Sequence, residues 1–215
     1  MIPLVFLNTL TLWLPPLAHV AIFGLIVGLY SRREKIGERY PHLLISAGLV
    51  AVVSRVFYSL FLTMVQYWIW SKDSVGAILL EMPLREAGNF SFLEGKLSYF
   101  LFYALERYWF DLALSLLASL IFFIFLKFLE KYRERFFDQG ETVLGGALAF
   151  VVGWPQILIF VGLSFLVVVG LSIIRMVERR GRLTTLGLPL LLSAPTALFL
   201  GDVLVPILGL SPFLV

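Results

Sequence analysis

A guanidinium inside an apolar run is the first chemistry this sequence offers. From His42 to Leu60 the chain reads HLLISAGLVAVVSRVFYSL, with Arg55 well inside it. Arginine stays ionised in any protein and is costly in hydrocarbon. A sequence that keeps one there supplies a partner or an anionic ligand, or lets the side chain snorkel to the far headgroup layer. Arg55 stands about thirteen residues, or roughly 20 Å of helix, beyond His42, in the outer part of a bilayer, where both readings stay open. Two further groups mix cations with carboxylates. PLREAGNFSFLEGK holds Arg85, Asn89 and Glu94, anion-binding and acid/base groups next to a headgroup layer or else ordinary solvated loop residues. In the other, Glu106 precedes Arg107 and Asp111, which stand one helical turn apart and can pair. Asp202 lies near the outer end of the last apolar stretch. Converging from separate segments on one side of a membrane, such groups suit a lipid phosphate.

The elements that must position them are membrane spans. With 60% hydrophobic and only 14% charged residues over 215 positions, the chain is no ordinary soluble domain, since those carry about a quarter charged residues. The expectation is an all-α, polytopic helical bundle forming a single transmembrane domain over 1–215. Cysteine is absent, which excludes disulfides, thiolate metal sites and a cysteine nucleophile, and His19 and His42 make no zinc motif. No metal or cofactor is expected. The net charge of +3 fits basic loops against anionic headgroups, not a nucleic-acid partner.

The N-terminus lacks the basic n-region and cleavage site of a secretory signal and is expected to remain in the mature protein. Pro15-Pro16 should break a helix, leaving a first span over about 17–30. The second covers about 43–66 and ends in an aromatic belt of Tyr67, Trp68 and Trp70. After an exterior loop, 71–107, in which 97–108 is amphipathic enough to lie on the membrane surface, the third covers about 109–128. Residues 142–174 are too long for one span, and both flanks are basic. That asks for an even number of crossings, with a turn at Gly153-Trp154-Pro155 between spans of about 138–153 and 155–175. A sixth covers about 184–209. Twelve of the seventeen Lys and Arg residues fall in the loops 31–42, 127–141 and 175–182. These alternate with the other connections, so the basic loops should be cytoplasmic and both termini outside.

In this order of features the chain resembles a family, the prolipoprotein diacylglyceryl transferases, bacterial inner-membrane enzymes that move diacylglyceryl from phosphatidylglycerol to a lipobox cysteine. IFGLIVGLYSRRE looks like the family's first span and basic exit, and HLLISAGLVAVVSRVFYSLF is similar to its LL-x-G-x-x-x-x-x-GAR-x-GYVLF stretch. GWPQILIFVGLSFLVVVGLSIIRMVERRGRLTTLGLPLLL resembles its HPSQ turn, long span, basic loop and next span. The resemblance places Arg55 and Tyr58 on the family's arginine and tyrosine, and implies phosphatidylglycerol and prolipoprotein signal peptides as partners. It also implies an outward cavity where arginines hold the phosphate and a base deprotonates the incoming thiol.

The catalytic motifs depart from the pattern. Where the family has His after Ser-Phe in GG-x-SFHGG, GNFSFLEG has Leu93, while an alternative register lays Trp109-Phe110-Asp111 over the motif and puts Asp111 in the histidine's place. The family's GR-x-GNF-x-N-x-E signature is missing after the fourth span, and its RF-x-x-E arginine becomes Leu198, with Asp202 standing for the acid. Asp111 or Glu94 would replace the base, with Tyr58 as a further catalytic residue, and Arg55, Arg85, Asn89, Arg107 and Asp202 would bind substrate. Three readings stay open: a divergent transferase, an inactive phospholipid-binding relative, and an unrelated small transporter or scaffold.

Overall fold

A computed structural model of the chain describes residues 4–82, 97–132, 137–177 and 185–209; at 4–12, 175 and 202 it describes the backbone alone. Among these residues every regular element is helical. They are α1 (Leu4–Ser31), the short α2 (Arg33–Ile36), α3 (Tyr40–Lys72), α4 (Ser74–Glu81), α5 (Ser98–Ala104), a π turn (Leu105–Trp109), α6 (Phe110–Tyr132), α7 (Glu141–Val152), α8 (Gln156–Val177) and α9 (Gly187–Ile207). Four stretches are long and apolar enough to cross a membrane: Trp13–Ser31, Arg33–Lys72, Ser98–Tyr132 and Gln156–Ile174. Glu141–Val152 and Gly187–Gly201 are apolar but shorter.

Two expectations differ from what is found. Helix α1 runs through Pro15-Pro16 without a break. Each proline removes one N–H, but in apolar surroundings no water competes for the freed carbonyls, so helix remains the best conformation for the flanking residues. The amphipathic stretch 97–108 is not a separate surface helix either, since α5 passes through the π turn into α6 and the whole reads as one stretch. The turn at Gly153-Trp154-Pro155 is present. Gly153 takes φ 69°, open to glycine and strained for other residues, and the Trp154 N–H donates to Ser115 Oγ at 2.8 Å.

The chain forms two compact units, one of residues up to Pro15 with Arg55–Ala113, the other of Pro16–Ser54 with Leu114–Leu214. In the first, Asp73 caps α4 by accepting from the Gly76 N–H at 3.0 Å. A Cβ at residue 76 would lie 2.6 Å from the Trp70 backbone, so only glycine lets α4 fold back this tightly. The Leu97 N–H then donates to Leu80 O at 3.1 Å, and Leu80, Phe100 and Ala104 form a small core. Trp70, one of the expected belt residues, packs against that core, with ring centroids 5.0 Å from Tyr103 and 5.5 Å from Phe100.

In the second unit α7 is the buried element, with ten of its 12 residues out of solvent. Its small residues, GGALA, let neighbours approach closely. A Cβ on Gly48 would sit 3.5 Å from Ala147, and Gly145 and Gly146 lie against Leu126 and Phe123. Helices α8 and α9 pack along each other and α7 packs on both. The loops after α1, α6 and α8 meet at one end: Arg33 pairs with Asp138 at 3.5 Å, and Glu141 Oε2 accepts from Leu186 N at 3.0 Å.

Candidate functional site

Within the first unit, α3 carries a polar stripe made of Arg55, Ser59, Thr63 and Gln66, residues three or four apart and therefore on one face. Opposite it run the π turn and the start of α6. In the π turn the Phe110 N–H reaches the carbonyl of Leu105 instead of that of Glu106, which inserts an extra residue into the turn. The Tyr108 carbonyl receives the Ser59 hydroxyl at 3.3 Å. Thr63 Oγ1 donates to the Ser59 carbonyl at 2.8 Å and accepts from Trp109 Nε1 at 3.3 Å. Tyr108 Oη donates to Gln66 Oε1 at 3.1 Å. In hydrocarbon each of these groups would be costly without a partner, so the ladder fixes which face of the π turn meets α3.

At one end of the ladder lie Arg55 and Asp111, both partly buried and each acting on the other's charge. Of the charges the sequence points to, these two act on each other electrostatically from separate helices. Tyr58 is partly buried one turn along α3 from Arg55 and acts electrostatically on Tyr108. Arg107 is exposed on the π turn, where its charge also acts on Tyr108. Asp202 belongs to α9 in the second unit. Arg85, Asn89, Leu93 and Glu94 lie outside the described residues.

The supporting polar groups, Ser59, Thr63, Gln66, Tyr108 and Trp109, were not singled out by sequence. Their signal was present as the three- and four-residue spacing of Ser59, Thr63 and Gln66 after Arg55, but short hydroxyl residues barely change the hydropathy of a span. Chemically, the arrangement offers a guanidinium for an anionic oxygen, a carboxylate beside it and phenols that can donate. Comparison with protein-family models, with curated proteins and with solved structures returns no match to this chain.

Proposed function

We propose that this chain is a membrane protein that holds the phosphate of an anionic phospholipid at Arg55, as a divergent relative of the prolipoprotein diacylglyceryl transferases. The observation that carries the reading is the electrostatic interaction of Arg55 with Asp111, on separate apolar helices beside the Ser59–Tyr108 ladder. An intramembrane cation with a carboxylate neighbour and a polar wall marks a functional site more often than a packing accident. In the reaction, Arg55 would bind the phosphate of phosphatidylglycerol and Asp111 would take the proton of a lipobox thiol. The sulfur then forms a bond to the glyceryl carbon as the carbon–oxygen bond to phosphate breaks, and glycerol phosphate leaves with negative charge that Arg55 stabilises.

The proposal extends to six crossings in a bacterial inner membrane, with α7 and α9 as the two short ones, the basic loops cytoplasmic and both termini outside. The meeting of the Arg33, Asp138 and Leu186 loops supports a common side for the basic segments.

A second reading is favoured by the Asp111 charge itself. A carboxylate that answers Arg55 already balances the cation, which suits a protein that binds lipid without turnover. The experiment is lipid retention in detergent, read by native mass spectrometry, beside transfer of labelled diacylglyceryl to a lipobox peptide. Wild-type protein is expected to retain phosphatidylglycerol and Arg55→Gln to lose it, with transfer lost in Asp111→Asn. Retention without transfer assigns the second reading. Equal retention by wild type and Arg55→Gln overturns both.

A further inference from the structure

Helix α4 presents an apolar face just where a long apolar stretch has ended. The stretch that contains α3 closes at Lys72, and α4 follows after Asp73 alone. Its 8 residues make about 12 Å of helix, far too little to cross the hydrocarbon. One side of α4 is packed: Gly76 lies against the Trp70 backbone, and Leu80 belongs to the small core with Phe100 and Ala104. On the other side Val75 and Ile78, three residues apart, and Met82 at the cap are 62%, 66% and 48% exposed. No charge interrupts the sequence from Ser74 to Leu80, whereas Lys72 and Asp73 precede it and Glu81 follows it.

Depth decides what covers this face. Tyr108 Oη donates to Gln66 Oε1 at 3.1 Å, so the π turn and Gln66 share a level. Glu106 and Arg107 are exposed on that turn, and exposed ionised side chains are costly in hydrocarbon, which puts the level at the headgroups. Trp70 stands four residues, about 6 Å, beyond Gln66 along α3, and the close packing of Gly76 holds α4 beside it. Around Trp70 gather Tyr99 and Tyr103, with ring centroids 6.2 and 5.0 Å away, and tryptophan and tyrosine are the residues that favour this zone. Left in water, three large apolar side chains on one face would be unfavourable. Laid on the boundary between headgroups and acyl chains, the same face is satisfied, with the charges at both ends of the helix on the wet side.

We propose that α4 is an interfacial helix that lies in the headgroup layer with Val75, Ile78 and Met82 turned into the acyl chains. This contact with the lipid surface is separate from the Arg55 site and does not depend on it; through Gly76 and Leu80 it anchors the ends of α3 and α5 at the membrane surface. The test places one cysteine at a time in a chain that has none, each carrying an environment-sensitive nitrobenzoxadiazole label. Full-length protein in phosphatidylcholine vesicles is read by quenching with iodide on both sides of the bilayer, and with lipids spin-labelled near the headgroup or near the chain end. Lys72→Cys is the water reference and Phe57→Cys, exposed within α3, the hydrocarbon reference. Val75→Cys and Ile78→Cys are expected to be quenched several-fold less by iodide than Lys72→Cys, and more by the shallow spin label than by the deep one, with Phe57→Cys showing the reverse preference. Should either variant fail to fold, the other carries the comparison, since both side chains are exposed. Iodide quenching equal to that of Lys72→Cys overturns the proposal and leaves the face in water. A preference for the deep spin label overturns it by placing α4 in the hydrocarbon. Shielding from iodide and from both spin labels overturns it in favour of a second copy of the chain covering the face.

Discussion

Arg55 and Asp111 act on each other's charge from separate helices. Breaking a buried pair from one side costs ~3–5 kcal/mol, whereas replacing both partners by apolar residues is often neutral. Arg55→Leu and Asp111→Leu are therefore each expected to lower thermal stability in micelles, and the double variant to recover most of the loss. A double variant no more stable than either single would show that the two charges do not answer each other. The guanidinium itself was visible in the sequence, because a lone arginine among valines and leucines is conspicuous. Its partner was not. Arg107 stands one turn from Asp111 and is the obvious choice from spacing, yet the charge acting on Asp111 is that of Arg55 from another helix. Sequence separation cannot reveal which helix face is turned toward which neighbour, and here the π turn sets that face.

At the scale of elements, most of the helices were legible from hydropathy: 43–66 lies within α3, 155–175 closely overlaps α8, and 184–209 encloses α9. The π turn was not legible, because an inserted residue leaves no compositional mark and shows only in the pattern of backbone hydrogen bonds. The Pro15-Pro16 expectation came from the cost of proline in water, which overstates its effect where the neighbouring carbonyls meet no solvent. Helix α7 makes its own prediction. A Cβ on Gly146 would lie 2.6 Å from the Phe123 ring, whereas Gly28 on α1 has nothing within 4 Å. Gly146→Ala is expected to destabilise by roughly 1–3 kcal/mol through overpacking. Gly28→Ala should change the melting point little, and comparable melting of the two variants would mean that the contact yields without cost.

For the whole molecule, the charge distribution along the chain forecast which loops belong together. The links among the Arg33, Asp138 and Leu186 segments agree with that grouping. Because the chain has no cysteine, single cysteines report sidedness without background. Arg32→Cys and Lys131→Cys are expected to react with an impermeant maleimide from one side of the membrane and Ser71→Cys from the other. Labelling of all three from the same side would end the six-crossing arrangement. The division into two compact units could not be anticipated from composition, since α3 and α6 each contribute residues to both and no linker marks the boundary.

Helix α7 also bears on how the protein is made. Its 12 residues amount to about 18 Å of helix, well short of the roughly 30 Å of hydrocarbon a lone span must cover, and it begins at a carboxylate. Such a segment has too little apolar length to leave the translocon unaided. Crossing the membrane as proposed, it would partition into the bilayer as a hairpin with α8, folded at Gly153-Trp154-Pro155, which makes the order of insertion depend on a sequence that has not yet emerged from the ribosome when α7 does.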